Sequence, residues 1–299
     1  AEQVIFTEIN YNPAGDNPEF VEITNNTATP FDIGTWYFSD GIEFTFPDFN
    51  PGDTDAHILK HWERIIVTNV DEATFRTAYP GTPAGVRVFG PYTGSLSNSG
   101  ENLELSDKNG VIMAQIDYND GGKWPASADG AGHTLTRINP NRARGEWRNW
   151  RASNVVGGTP GEDQASMNTA PVIISEVHFD NEGNVDWIEL HAPNSGISVS
   201  ALTLAADRQL ASATALAGTV PAGGYLSFPV AFTPDPNGDL DLFLALGSNI
   251  VDAVKLDRDN NEESFQLYPI VRGEFYGGPG HTQDAANDPA NRNEDIVIN

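Results

Sequence analysis

The alternation of apolar and polar residues at the start of the chain predicts two paired β-strands. Residues 4–9 read Val-Ile-Phe-Thr-Glu-Ile, and residues 20–23 read Phe-Val-Glu-Ile after a turn rich in Pro, Gly and Asp. A period of two residues is typical of a strand with one buried face. The same pattern returns about 168 positions later, at residues 172–177 and 187–190. The chain is therefore predicted to contain an internal repeat.

Similar alternating segments, separated by Gly, Pro, Asn and Asp, continue through both copies. Strands are predicted at residues 36–39, 43–46, 65–68, 86–89, 102–106, 111–118 and 134–138 in the first copy, and at residues 225–228, 240–246, 250–256 and 265–268 in the second. Many short strands at this spacing are typical of a β-sandwich. One helix is predicted at residues 71–79, as a crossover with Asn69 as its cap.

The length and the repeat together predict two domains, at residues 1–165 and 171–299. Each copy ends in a Gly-rich segment, at residues 157–161 and 277–280, and the polar residues 164–171 are predicted to link the domains. The predicted fold class is therefore all-β, with two β-sandwiches in tandem, the second of them shorter.

Six motifs follow one another along the first copy. They are Val-Ile-x-x-Glu-Ile-x-Tyr-Asn-Pro (4–13), Glu-Phe-Val-Glu-Ile-x-Asn (19–25), Asp-Ile-x-x-Trp-x-x-Ser-Asp (32–40), Leu-Ser-Asn-Ser-Gly-Glu-x-Leu-x-Leu (96–105), Asp-Tyr-x-Asp-Gly-Gly-x-Trp-Pro (117–125) and Asn-Trp-Arg-Ala-Ser (149–153) with the Gly-Gly-Thr-Pro-Gly ending. In this order they resemble the lamin tail domain of secreted bacterial proteins, over nearly all of residues 1–165.

The resemblance implies that the sandwiches are immunoglobulin-like and that the shared residues are scaffold residues rather than catalytic ones. The second copy keeps the first two strands and the Gly-rich ending. It has no counterpart of Trp36, of residues 97–101 or of Trp124. Domains that resemble this one often accompany nucleases and other hydrolases, which leaves a targeting role open.

Composition narrows the classes of partner. The 42 acidic and 16 basic side chains give a net charge of −26, which opposes binding to nucleic acid. The absence of cysteine excludes disulfides, cysteine-zinc sites and thiol catalysis. No apolar run reaches the roughly 20 residues of a transmembrane helix, and a strand-like segment follows directly on the first residues, so we expect a mature or excised chain without a membrane span.

Templates for catalysis are missing from the sequence. It contains no Gly-x-Ser-x-Gly, Gly-x-x-x-x-Gly-Lys or Gly-x-Gly-x-x-Gly motif, which argues against acyl transfer and nucleotide binding. Glu8 and Glu22, and likewise Glu176 and Glu189, are predicted to face each other on paired strands. We interpret them as residues of solvated strand faces rather than as glycosidase acids.

Calcium is the cofactor that the sequence favours most, because Asp and Asn at alternate positions supply the oxygen ligands that this ion prefers. Two segments have this spacing, although neither has the Gly of an EF-hand loop. The candidate metal ligands are Asp257, Asp259, Asn261 and Glu263 in one segment, and Asp235, Asn237, Asp239 and Asp241 in the other. Metal-free Asx-rich turns remain the alternative.

Aromatic and basic residues allow two interpretations each. Trp36, Trp124 and Trp150 are predicted to pack in the core, and a carbohydrate-stacking face is the alternative.

Five arginines interleave with two tryptophans near the end of the first copy: Arg137, Arg142, Arg144, Arg148, Arg151, Trp147 and Trp150. We predict that these arginines pair with neighbouring carboxylates or with an acidic patch on another copy; binding to an acidic polysaccharide is the alternative.

The sequence therefore predicts a non-enzymatic extracellular or cell-surface protein that acts as a structural, adhesive or self-assembling module. The alternative is a carbohydrate-binding or substrate-targeting accessory region of a larger secreted hydrolase. The expected partner is another copy of the chain or another extracellular protein, with a polysaccharide as the alternative. The apolar residues 296–298 follow a polar tail and are predicted to add as a strand to a neighbouring copy, which would produce linear polymers.

Overall fold

Strands make up most of the regular structure in both halves of the chain, as the alternating pattern predicts. The computed structural model describes residues 3–48, 56–121, 124–142, 145–163, 172–207, 209–234, 240–247, 249–256, 263–268 and 274–288. The chain divides into two units, the first formed by Ala1–Ser153 with Gly157–Ser166 and the second by Asn154–Val156 with Met167–Asn299. The predicted linker at residues 164–171 lies outside the described residues.

The first unit contains eleven described strands. They are β1 (Val4–Asn10), β2 (Phe20–Asn25), β3 (Phe31–Asp32), β4 (Tyr37–Asp40), β5 (Ile58–Leu59), β6 (Arg64–Thr68), β7 (Arg87–Phe89), β8 (Glu101–Ser106), β9 (Ile112–Tyr118), β10 (Leu135–Arg137) and β11 (Trp150–Ala152). Short 3-10 helices cover Ala126–Ala128 and Trp147–Asn149.

Two sheets of the first unit face each other across its core. One sheet has the order β11-β10-β1-β2-β6-β7 and the other has the order β4-β8-β9, while β3 and β5 form a separate pair. Inward side chains of both sheets, such as Ile9, Ile23 and Leu103, pack in one hydrophobic cluster. Trp36 and Trp150 are buried in this cluster and Trp124 packs partly buried against it, which confirms their prediction as packing residues.

The predicted crossover helix is present as α1 (Glu72–Ala78), between the parallel strands β6 and β7. Its cap is Asp71 rather than Asn69, because the Asp71 carboxylate accepts a hydrogen bond from the backbone N of Thr74 at 3.0 Å. Phe75 on α1 packs edge-on against Phe20 and thereby holds the helix on the outer face of the larger sheet.

The second unit also contains eleven described strands. They are β12 (Ile173–Phe179), β13 (Val185–His191), β14 (Ile197–Ser198), β15 (Leu202–Ala205), β16 (Thr214–Ala215), β17 (Thr219–Val220), β18 (Tyr225–Phe232), β19 (Leu240–Leu246), β20 (Asn249–Leu256), β21 (Ser264–Tyr268) and β22 (Glu274–Gly278). The larger sheet has the order β18-β13-β12-β21-β22 and the smaller one β16-β15-β19-β20, with β14 and β17 as a pair. Side chains such as Ile174, Leu190 and Leu244 form its core.

The all-β fold class is thus confirmed, and the predicted strands agree with the described ones to within a few residues at their ends. The segment at residues 43–46 is an exception, since it forms only isolated bridges to Tyr37 and Thr93. Strands β3, β5, β11, β14, β15, β16, β17 and β22 were not predicted; five of them are only two residues long, too short to show an alternation. Residues 296–298, the predicted donor strand, lie outside the described part of the chain.

Candidate functional site

The first unit buries a pair of glutamates on its two leading strands. Glu8 on β1 and Glu22 on β2 are register partners, and each is 2% exposed. The predicted pairing is confirmed, but the prediction of a solvated strand face is wrong. Burial raises the pKa of Glu22, whereas the guanidinium of Arg64, with its Nε 3.2 Å from Glu22 Oε1, opposes this rise.

These glutamates are buried because the Gly-rich residues 157–161, which we call the first closing segment, cover them. Glu8 Oε1 accepts a hydrogen bond from the backbone N of Thr159 at 3.0 Å, and Glu22 Oε2 accepts one from the backbone N of Gly161 at 2.7 Å. Gly158 has a left-handed φ of +73°, and a Cβ at this position would overlap Glu8 Oε1. The two carboxylates therefore anchor the end of the unit to its first two strands.

The second unit has the same arrangement. Glu176 on β12 and Glu189 on β13 are register partners and are fully buried. Residues 277–282 form a second closing segment. Within it, Thr282 donates to Glu176 Oε2 from its backbone N at 3.1 Å and from its hydroxyl at 2.9 Å. Each unit thus closes in the same way, with a glutamate of its first strand bound to the segment that ends the unit.

Glu189 differs from Glu176 in the hydrogen bonds that it accepts. Its Oε1 accepts one from the Ser175 hydroxyl at 2.7 Å, and the backbone of Asp284 and Ala285 also interacts with the carboxyl. Burial raises the pKa of Glu189 to about 8, and the Glu176 carboxylate adds to this rise, whereas the hydrogen bond from Ser175 opposes it. The raised pKa favours the protonated form of Glu189 in the folded protein.

A groove of about 440 Å³ lies beside the glutamate pair of the first unit. Its lining includes Glu8 and Glu22 together with Arg64, Trp62 and Ile138. Trp62 is 51% exposed and Ile138 is 50% exposed, so the groove presents apolar surface to solvent beside charged groups. This combination is suited to binding a macromolecule or a sugar.

The backbone of Trp62 is held in a conformation that costs energy. Its φ of +55° lies in the left-handed region, which non-glycine residues rarely occupy. The turn is maintained by a hydrogen bond from the backbone N of Trp62 to the Asn25 carbonyl at 3.0 Å. The backbone that carries the exposed indole is therefore held by this turn, and sequence reasoning did not single out Trp62 because it belongs to no recognisable motif.

The arginines near the end of the first copy differ in exposure. Arg151 on β11 is only 7% exposed, and Arg144 lies outside the described residues. Arg148 stacks its guanidinium over the Trp147 ring at 4.6 Å, and Arg137 donates to the Arg142 carbonyl at 2.7 Å. Arg151 is therefore too buried to face another copy, and the pairing of the arginines with neighbouring carboxylates or with an acidic patch on another copy stays a prediction.

Most of the predicted calcium ligands lie outside the described residues: Asp257, Asp259, Asn261, Asp235, Asn237 and Asp239. Asp241 is exposed on β19, opposite Lys255 on β20. Glu263 lies directly before β21, where its Oε1 is 2.9 Å from His281 Nδ1 and 3.6 Å from His178 Nε2. The calcium site therefore stays a prediction, and Glu263 is found beside two histidines that the sequence analysis did not connect with it.

The facing sheets and their antiparallel strands are consistent with an immunoglobulin-like β-sandwich. The family model of the lamin tail domain matches residues 1–120, which lie within the first unit. This match confirms the resemblance found in the sequence. The family is a non-catalytic one of immunoglobulin-like structural or interaction modules.

Two further findings concern the chain as a whole. No curated protein matches it. In the part of the chain that the structure describes, no helix has both the length and the apolar character to cross a bilayer.

Proposed function

We propose that the protein is a non-enzymatic structural, adhesive or self-assembling module that acts outside the cell or at its surface. The buried glutamate pairs support the non-enzymatic part of this proposal. Glu8 and Glu176 accept hydrogen bonds from the closing segments and so serve to hold each unit together. The matched family points in the same direction, since it is a non-catalytic one.

The observation that carries the proposal is the pair of half-exposed apolar side chains, Trp62 and Ile138, at the groove of the first unit. A rigid aromatic residue beside an aliphatic one, surrounded by charged groups, is the usual make-up of an interface centre. Contact between copies would cover this surface. Because the groove is also lined by charged residues, higher salt should weaken that contact.

Sedimentation velocity of the full chain over a range of concentrations tests this proposal. Trp62→Ala combined with Ile138→Ser should abolish concentration-dependent association. Ile112→Ser is the matched control, since Ile112 is 45% exposed but does not line the groove. An intact chain that remains monomeric at every concentration and salt would contradict self-assembly, and so would association that survives the double substitution.

The second candidate function is carbohydrate binding, as part of a targeting region of a larger secreted hydrolase. The exposed indole of Trp62 beside a polar groove favours it, because sugars stack on aromatic faces. Affinity electrophoresis of the full chain in gels that contain neutral or acidic polysaccharides distinguishes the two. Retardation that Trp62→Ala removes, in a protein that sediments as a monomer, would replace self-assembly by targeting.

We also propose that the second unit is a shortened copy of the lamin tail domain. The repeated glutamate pair and the repeated contact with a closing segment support this, since Glu8 with Thr159 corresponds to Glu176 with Thr282. A crystal structure in which Thr282 does not contact Glu176 would contradict the proposed correspondence.

A further inference from the structure

Three side chains of the second unit meet at one end of its larger sheet, although they are far apart in the sequence. They are His178 near the end of β12, Glu263 directly before β21, and His281 shortly after β22. One potential ligand atom from each lies within 4.8 Å of the other two. We propose that this cluster is a binding site for a divalent transition-metal ion, with zinc as the preferred ion.

The distances in the cluster are close to those of a metal site. Four ligands at 2.0–2.1 Å in a tetrahedron are about 3.4 Å from one another. Glu263 Oε1 lies 2.9 Å from His281 Nδ1 and 3.6 Å from His178 Nε2. Small side-chain rotations therefore suffice to place one ion among the three groups.

Backbone hydrogen bonds fix the position of each ligand. The backbone N of Glu263 donates to the Gly278 carbonyl at 2.8 Å, and its carbonyl accepts from the backbone N of Phe179 at 2.9 Å. His281 lies between Gly280, whose carbonyl accepts from the Ser264 hydroxyl, and Thr282, which is bound to Glu176. The site is thus held by the same closing segment that completes the unit.

The orientation of His178 is that of a metal ligand. Its Nδ1 lies 2.6 Å from the Asp186 carboxylate, so a neutral imidazole would carry its proton on Nδ1 and offer the lone pair of Nε2 to an ion on the side of Glu263. Metal-binding histidines are usually oriented by such a carboxylate. The Trp187 ring stacks on His178 with centroids 4.8 Å apart and an interplanar angle of 7°, so the imidazole has little freedom to turn.

Charge and ligand type favour zinc over calcium. The Glu263 and Asp186 carboxylates together carry two negative charges, which balance a divalent cation. Two imidazoles and one carboxylate are a usual zinc ligand set, whereas calcium takes six to eight oxygen ligands. The side chains of Glu263 and His281 are each 43% exposed, so an ion can enter and a water molecule can complete its coordination.

Isothermal titration of the untagged full chain, after metal has been removed, tests the site. Zinc chloride should bind with one equivalent, and excess calcium chloride should not displace it. Cobalt(II) should show the strong visible absorption of a tetrahedral site and should quench the fluorescence of Trp187, which is the only tryptophan of the second unit. Absence of zinc binding, or displacement of zinc by calcium, would overturn the inference.

Three substitutions make the test specific. Loss of an orienting partner alone weakens metal binding by about 10–100-fold, so Asp186→Asn should have an effect of that size. His281→Gln removes a ligand and should weaken zinc binding by at least about 100-fold. His61→Gln is the matched control, because it removes an exposed histidine of the first unit and should leave binding unchanged. Circular dichroism confirms that each variant is folded. Unchanged binding in His281→Gln, or equal loss in His61→Gln, refutes the site.

Discussion

Replacing Glu189 with glutamine should stabilise the second unit at alkaline pH. Burial raises the pKa of this carboxyl from its ordinary value of 4.5 to about 8. A raised pKa means that the folded state binds the proton more tightly than the unfolded state does. The resulting stabilisation is complete below about pH 4.5 and is lost as the pH rises through about 8. Glutamine keeps the neutral form at every pH and avoids this loss.

The magnitude follows from the size of the shift. Each pKa unit corresponds to about 1.36 kcal/mol, so the full change in the free energy of unfolding is about 5 kcal/mol. The packing around the carboxyl agrees with a neutral group, because Glu189 is fully buried and its strongest hydrogen-bond donor is the neutral Ser175 hydroxyl, 2.7 Å from Oε1. Glu189→Gln retains that acceptor and nearly the same volume.

Calorimetry of the full chain at about pH 5 and about pH 9, on either side of the raised pKa, measures the effect. The variant should unfold like the parent at the lower pH and should be more stable by up to about 5 kcal/mol at the higher pH. Glu176→Gln is the control on the neighbouring strand. It removes the charge that accepts two hydrogen bonds from Thr282 and should destabilise the unit by about 1–3 kcal/mol. A Glu189→Gln variant that is destabilised equally at both pH values refutes the reasoning.

Three other perturbations give direct tests of the fold and of the predicted cofactor. Trp36→Ala should lower the free energy of unfolding by about 3–5 kcal/mol in urea titrations, because it removes a buried indole; Trp62→Ala, which changes a half-exposed indole, should cost far less. Gly158→Ala should lower the melting temperature of the first unit, because the alanine Cβ would overlap Glu8 Oε1. An unchanged melting curve would contradict the anchoring role of the first closing segment. If the segments that include Asp235 and Asp257 bind calcium, a calcium-selective chelator should lower the melting temperature, and added calcium should restore it. The loss of stability is about 2.7 kcal/mol when calcium stood at one hundred times its dissociation constant. A melting curve that does not respond to this chelator rejects the calcium site.

Local alternation was sufficient to predict most strands and the pairing within both glutamate pairs. Glu8 and Glu22 lie on consecutive antiparallel strands, so the pattern predicts that they face each other, and a bulge between Phe6 and Glu8 sets the register in which they do. Their burial does not follow from the pattern. A polar position on a strand normally faces solvent. Glu8 is instead covered by the first closing segment, which includes Thr159 and lies about 150 residues further along the chain, so no local pattern indicates the contact.

The cluster of His178, Glu263 and His281 also could not be predicted from local sequence patterns. His178, Glu263 and His281 share no local spacing, and they meet only because β21 pairs with β12 and β22 pairs with β21. One signal was present in the sequence, although it was not used. His178 lies two residues after Glu176, and His281 lies one residue before Thr282, so the repeated Glu–Thr contact brings the two histidines together. An alignment of the two repeats that included the contact between the first strand and the closing segment would have placed His178 and His281 near each other.

The position of β1 in its sheet has a consequence for synthesis of the chain. β1 lies between β2, which follows at once, and β10, which begins about 125 residues after β1 ends. At about 5–20 residues per second, a ribosome needs roughly 6–25 s to make that stretch. Throughout this time the nascent sheet has an open edge along β1. Glu8 lies on that edge opposite the future position of Thr136, and an ionised carboxylate there discourages pairing with a strand of another nascent chain. We therefore expect the carboxylate that anchors the finished unit to protect the unfinished one from aggregation.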